Sequence, residues 1–156
     1  MSKTTPATLA LDRAGVAYRI ATYAYDPGAD RVGLQAAEAL GAPASEVLKT
    51  LMVLVDGKPA CVVLASDREV AMKKLAAALG GKAAEMMKPA DAERITGYRV
   101  GGVSPFGQKK RVPTVIDADA AALPEAFVNG GQRGLQARLS PAELVRVLEA
   151  VVAPIS

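Results

Sequence analysis

Lys49 sits inside VLKTLMVLV, an almost unbroken apolar run. An ammonium placed there loses hydration and needs either a partner or a use. The other reading puts it at the entrance of a strand, with its stem on apolar surface and its head in water. Further along, GGVSPFGQKKRVPTVID (101–117) gathers two glycines, Ser104-Pro105 and the adjacent cations Lys109, Lys110 and Arg111. Gly101 and Gly102 let the backbone approach a ligand closely, and successive amides can cradle an anion or stabilise an oxyanion. The same pair also suits a tight turn. The basic triplet fits phosphate contact as well as it fits a solvated loop.

What the chain lacks narrows this chemistry. It contains no histidine and one cysteine, Cys61. A Ser-His-Asp or Cys-His pair and a His-ligated zinc site are therefore excluded, and Ser104 has no histidine to activate it. Catalysis would have to use lysine, carboxylate, tyrosine, backbone dipoles or a group on the substrate. A lone cysteine also rules out an intramolecular disulfide and fits a reducing cytoplasm, and Cys61 within ACVVLA reads as core. Asp117 and Asp119 read as turn caps rather than metal ligands, and no cofactor motif is present. Met86 and Met87 read as filling core or pocket space. The net charge of +3 points weakly to an anionic partner. No DNA-reading motif is found, and no apolar run approaches the ~20 residues of a membrane span. MSKTTPATLALDRAG lacks the apolar stretch of a secretory signal.

The elements that would position these residues follow from periodicity and punctuation. TTPATLALDRAG predicts a helix entered through Pro6 and stopped at Gly15, and VAYRIATY (16–23) alternates as a strand does. LQAAEAL predicts a short helix closed by Gly41. EVLKTLMVLV (46–55) and ACVVLAS (60–66) flank a hairpin signal at Asp56-Gly57-Lys58-Pro59. EVAMKKLAAAL (69–79) and KPADAERITG (88–97) read as helices, and PTVID as a strand. AFVNGGQRGLQARL predicts two strands joined at Asn129-Gly130-Gly131, whose glycines could also crowd against a ligand. SPAELVRVLEAVV predicts a final helix with Ser140 as cap, Pro141 at its first position and Glu143 completing a capping box. The 156 residues make one domain of α+β class. Its sheet is expected to be mixed and mostly antiparallel, forming a partly closed barrel with flanking helices.

LKTLMV (48–53), TGYRVGGVSPFGQKKRVPTVID (96–117) and NGGQRGL (129–135) occur in an order that resembles the YbaK family of Cys-tRNA(Pro) deacylases. That superfamily includes the editing domain of prolyl-tRNA synthetase. The resemblance implies a trans-editing enzyme that removes cysteine from mischarged Cys-tRNA(Pro), without a cofactor. It implies that Lys49 is important for activity and that Tyr23 and Asp26-Pro27 match a T-Y-x-x-D-P stretch. It makes Gly101 to Pro105 the G-x-x-x-P loop around the aminoacyl group. Catalytic roles would fall to Lys49, Tyr23, Gly101 and Gly102. Substrate contacts would fall to Asp26, Thr50, Val103, Ser104, Pro105, Gly130 and Gly131, and RNA contacts to Lys109, Lys110 and Arg111. Relatives often carry histidines where this chain has Ala21 and Tyr25. The family mechanism, in which the substrate thiol attacks its own ester to give a thiolactone, needs no enzymic nucleophile. The implied partners are the tRNA(Pro) 3′ end and prolyl-tRNA synthetase, in the cytoplasm. Two alternatives stand beside it. One is a deacylase for another small aminoacyl group, such as Ala-tRNA(Pro), using water. The other is a non-catalytic tRNA or synthetase-binding module.

Overall fold

A computed structural model of the chain describes residues 4–26 and 32–156. The chain runs through α1 (Pro6–Arg13), β1 (Arg19–Thr22), α2 (Val32–Leu40), a 3-10 turn (Ala44–Glu46), β2 (Leu48–Val55) and β3 (Lys58–Ala65). Then follow α3 (Met72–Ala78), β4 (Ala84–Met86), α4 (Pro89–Thr96), β5 (Thr114–Asp117) and α5 (Ala118–Ala121). The last elements are β6 (Ala126–Gln132), β7 (Leu135–Leu139), α6 (Pro141–Leu148) and β8 (Val151–Ala153). No helix among the described residues is long and apolar enough to cross a membrane.

The α+β class is as expected, but the sheets do not close into a barrel. Three strands in the order β1-β7-β6 form one antiparallel sheet, and five in the order β4-β2-β3-β5-β8 form a mixed one. Among the described residues, the backbone pairing between them is one isolated parallel bridge, Val47 to Phe127. Closure would require a continuous ladder there, and β2 instead continues into its hairpin with β3. The turn of that hairpin is Asp56-Gly57, with φ of 50° and 78°. Both positive angles are what a two-residue turn between twisted strands requires.

Three further expectations are corrected here. Strands β6 and β7 turn at Arg133-Gly134, since Gln132 pairs with Leu135. Asn129 pairs with Gln136, so Gly130 and Gly131 are extra residues on β6 that form a bulge. Gly131, at φ 92°, adopts a conformation that side chains disfavour. The final helix ends at Leu148, and Val151–Ala153 leaves it to form the edge strand β8. Ser140 makes no side-chain capping bond. Glu143 is drawn away to Arg146, with which it forms an ion pair, so no capping box forms. The box occurs instead at α1. Thr8 N–H donates to Thr5 Oγ1 at 3.1 Å and Thr5 N–H donates to Thr8 Oγ1 at 2.8 Å.

The core lies between the sheets and helices. Leu11, Met52, Val63, Phe106, Ile116, Val128, Leu139 and Leu144 pack in its main cluster. A second cluster around Val53, Val62, Leu64, Leu75 and Ile155 covers the other face of the five-stranded sheet. Alternate residues of β3 enter the two clusters, which is why ACVVLA has no polar interruption.

Candidate functional site

Strand β4 covers β2 only from Val53 to Val55. Leu48 to Leu51 therefore form an open edge, and a cleft of about 510 Å³ runs along it. Lys49 and Thr50 line this cleft, as do Gly101 and Val103 of the glycine loop and Tyr23 from the end of β1. Lys49 is half-buried and stands opposite Leu64 of β3. The structure thus brings together Lys49, Tyr23, Thr50, Gly101 and Val103. Met86 and Met87 add apolar surface to the same cleft.

Several residues singled out from sequence serve other places. Gly102 does not line the cleft: a Cβ there would meet Arg133 N at 2.9 Å, so its bareness lets the loop lie on the β6–β7 turn. Ser104 is fully buried and accepts a hydrogen bond from Phe106 N–H at 3.2 Å. Pro105 lines a smaller cavity of about 210 Å³ near Phe106 and Val147. Gly130 and Gly131 pack against helix α1. The Gly130 carbonyl accepts from Thr5 Oγ1 at 2.6 Å, and a Cβ on Gly131 would meet Tyr98 at 2.8 Å and Ala7 at 3.2 Å. The Asp26 carbonyl accepts from Gln35 Nε2 at 3.3 Å, whereas Pro27 lies outside the described residues. Lys109, Lys110 and Arg111 are exposed and lie away from the cleft lining. Lys109 and Lys110 donate backbone N–H groups to Thr96 and Ile95 at the end of α4, and Arg111 pairs with Glu149 at 3.4 Å.

Two further residues of the cleft carry no signal in the sequence. Asn129 Nδ2 donates to the Gly101 carbonyl at 3.1 Å, while its Oδ1 accepts from Gly131 N–H at 2.7 Å. One side chain therefore fixes both the bulge and the glycine loop. Gln136 stands directly opposite Asn129 on β7 and opposite Ala21 on β1. Cross-strand partners share a face, so Gln136, Asn129 and Tyr23, two residues beyond Ala21, form a polar strip across the three-stranded sheet. All three line the cleft. An asparagine within a bulge and a glutamine within an alternating strand carry no motif, and only strand register brings them together.

The glycine loop is held from a second side. Arg133 Nε donates to the Val100 carbonyl at 2.9 Å, and its guanidinium lies over the Tyr25 ring at 5.1 Å. A Cβ on Gly101, whose φ is 89°, would meet the Tyr25 hydroxyl at 2.6 Å. Only glycine fits.

Polar satisfaction in the cleft is incomplete. Tyr23 Oη, Thr50 Oγ1 and Gln136 Oε1 are buried and make no hydrogen bond among the described residues. Burial pushes the Tyr23 phenol above its ordinary value, and the nearby Gln136 amide opposes that only in part. Gln136 thus lies beside the phenol. Most buried polar groups find partners, so three orphans lining one cleft mark a place that expects a ligand. Neither cysteine nor histidine lines the cleft. Burial pushes the Cys61 thiol, deep in the core, up to about 12. No cluster of three or more potential metal-ligating His, Cys, Asp or Glu occurs among the described residues.

The chain is similar to several known proteins. Residues 26–147 match the aminoacyl-tRNA editing domain family. The proposed Cys-tRNA(Pro)/Cys-tRNA(Cys) deacylase EbsC of Enterococcus faecalis is 38% identical over 122 residues, which is 77% of this chain and 74% of that protein. The proline–tRNA ligase of Geobacter metallireducens is 36% identical over 92 residues, 59% of this chain but only 16% of the ligase. Among solved structures, one described as a hypothetical protein superimposes with a TM-score of 0.84 at 28% identity, covering 97% of this chain and 99% of that one. A proposed trans-editing enzyme for prolyl-tRNA synthetase has the same fold, with a TM-score of 0.84 at 24% identity and 99% coverage of both chains.

Proposed function

The chain belongs to the aminoacyl-tRNA editing domain family, and from that premise we propose that it is a trans-editing deacylase that removes cysteine from mischarged Cys-tRNA(Pro). The observation that carries this reading is the cleft shared by Lys49 and Gly101, which no cysteine or histidine lines. Such a cleft suits an ester that supplies its own attacking group. The cysteinyl sulfur bonds to the carbonyl carbon, and the carbon–oxygen bond to the terminal ribose breaks. The thiol's proton ends on the ribose oxygen, leaving a cyclic thiolactone and free tRNA. The protein contributes geometry and charge. The cleft holds the aminoacyl group in a reactive conformer, and loop amides with Lys49 stabilise charge developing on the ester. Lys49 positions the ester or the terminal adenosine's phosphate and transfers no proton in this scheme.

The name of the Enterococcus relative supports cysteine as the aminoacyl group, and the segment shared with proline–tRNA ligase supports tRNA(Pro). Selectivity for that tRNA is assigned to association with prolyl-tRNA synthetase. Lys109, Lys110 and Arg111, away from the cleft, would contact tRNA phosphates remote from the aminoacyl end. The test is deacylation of Cys-tRNA(Pro) by the purified protein and by Lys49→Ala. Losing this cation from the site should lower the rate at least ~100-fold with the fold retained. Full activity in the variant would remove Lys49 from the scheme, and no activity in the wild type would remove the scheme itself.

A further inference from the structure

Resting on that reading, the geometry points to Gln136, with Tyr23 and Thr50, as the receptor for the α-ammonium of the aminoacyl group. Their three oxygens line the cleft, are buried and meet no hydrogen-bond partner among the described residues. Tyr and Thr hydroxyls can donate or accept, but the Gln136 Oε1 can only accept. A ligand that satisfies it must therefore bring a strong donor. The ester carbonyl and the phosphates bring none, and the thiol brings a weak one. The α-ammonium brings three N–H donors and a positive charge, which matches three inward-facing oxygens and gains from charge-assisted bonding.

Position favours the same group. Gln136 is 4% exposed, so what reaches it belongs to the deepest part of the ligand, and the aminoacyl head enters ahead of the adenosine. Asp67 and Glu69 also line the cleft but are exposed, where their attraction is screened by water and salt. Lys49, on β2, is left for the negatively charged or ester end of the substrate. Amine at one wall and ester at the other would fix the Cα substituents, and with them the direction from which the side chain approaches its own carbonyl. Gln136 is then a specificity-determining residue that reads a free α-amino group.

The test compares Cys-tRNA(Pro) with 3-mercaptopropionyl-tRNA(Pro), which keeps the thiol and lacks the amino group without adding bulk. Each rate is divided by its uncatalysed rate. Wild type should prefer the cysteinyl substrate at least about tenfold in kcat/KM, the scale of a lost charge-assisted hydrogen bond. Gln136→Leu should abolish the preference, by raising KM for Cys-tRNA(Pro) well beyond any change in KM for the deamino substrate. Gln136→Glu keeps an acceptor at the same reach and should keep the preference, with circular dichroism confirming the fold of both variants. Equal normalised rates for the two substrates with wild type would overturn the inference while leaving the deacylase reading intact, and this arm needs no variant. An unchanged preference in a folded Gln136→Leu would overturn it as well. Failure of wild type on both substrates would instead strike the deacylase reading on which the inference rests.

Discussion

Asn129 and Gly101 are tied by a 3.1 Å hydrogen bond from the Asn129 amide to the Gly101 carbonyl. The same side chain accepts from Gly131 N–H at 2.7 Å. The bulge in β6 and the glycine loop are thereby one mechanical unit, and the direction of the loop amides depends on it. Asn129→Ala removes both bonds, each worth about 1 kcal/mol net. Its expected signature is a kcat for Cys-tRNA(Pro) lowered about tenfold with KM little changed. Asn129→Asp keeps the acceptor for Gly131 but sets a carboxylate against the Gly101 carbonyl, and should be at least as impaired. Steady-state kinetics on the two variants, beside their melting curves, checks this.

Gly101→Ala should fail for two reasons that add. The φ of 89° strains any side chain, and the new Cβ would meet the Tyr25 hydroxyl at 2.6 Å. A cost of about 1–3 kcal/mol in stability is expected, together with loss of most activity. Adding Tyr25→Phe removes the oxygen but not the torsional strain, so the double variant should recover stability only in part. Full recovery would show the steric contact alone to matter.

The Cys61 thiol provides a pH-dependent check on the core. Its pKa is raised by burial from 9.0 to about 12. The unfolded chain ionises this thiol above about pH 9, while the folded chain keeps it neutral. Stability from this group is therefore complete below pH 9 and falls as pH rises towards 12, by at most ~1.4 kcal/mol per pH unit. Cys61→Ala should flatten that decline in denaturant titrations, though not remove it, because burial also raises the Tyr98 phenol. Deacylation near neutral pH should survive Cys61→Ala, since the thiol does not line the cleft. A thiol reagent at pH 8 should label the native protein only as fast as it unfolds.

Sequence legibility followed the locality of the signal. The hairpin at Asp56-Gly57 and the helix between Pro89 and Gly97 were readable because the residues that shape them are neighbours in the chain. Gly97, at φ 80°, closes α4 as a left-handed cap. Asn129-Gly130-Gly131 reads as a turn because the same residues that favour turns also favour bulges. What separates the two is pairing with β7, which a local pattern does not contain. Ser140 and Glu143 have the spacing of a capping box, yet Arg146 one turn later competes for the carboxylate. In the cleft, Lys49 and Gly101 stood out by being chemically out of place. Gln136 did not, because a polar residue in an alternating strand is the default solvent-facing choice. Only the register Ala21–Gln136–Asn129 turns that face towards the cleft. Lys109 to Arg111 show the converse, as charge visible in sequence that folds away from the cleft.

The claim that the substrate attacks itself is tested most directly by replacing the thiol without changing the shape. The measurement is the single-turnover rate of deacylation for Cys-tRNA(Pro) against 2-aminobutyryl-tRNA(Pro), in which a methyl group stands where the sulfur was. Rapid release of free tRNA and thiolactone from the cysteinyl ester, with the aminobutyryl ester surviving at its uncatalysed rate yet competing for the cleft, is the predicted result. Comparable cleavage of the two esters would mean that water makes the attack, and would contradict the account.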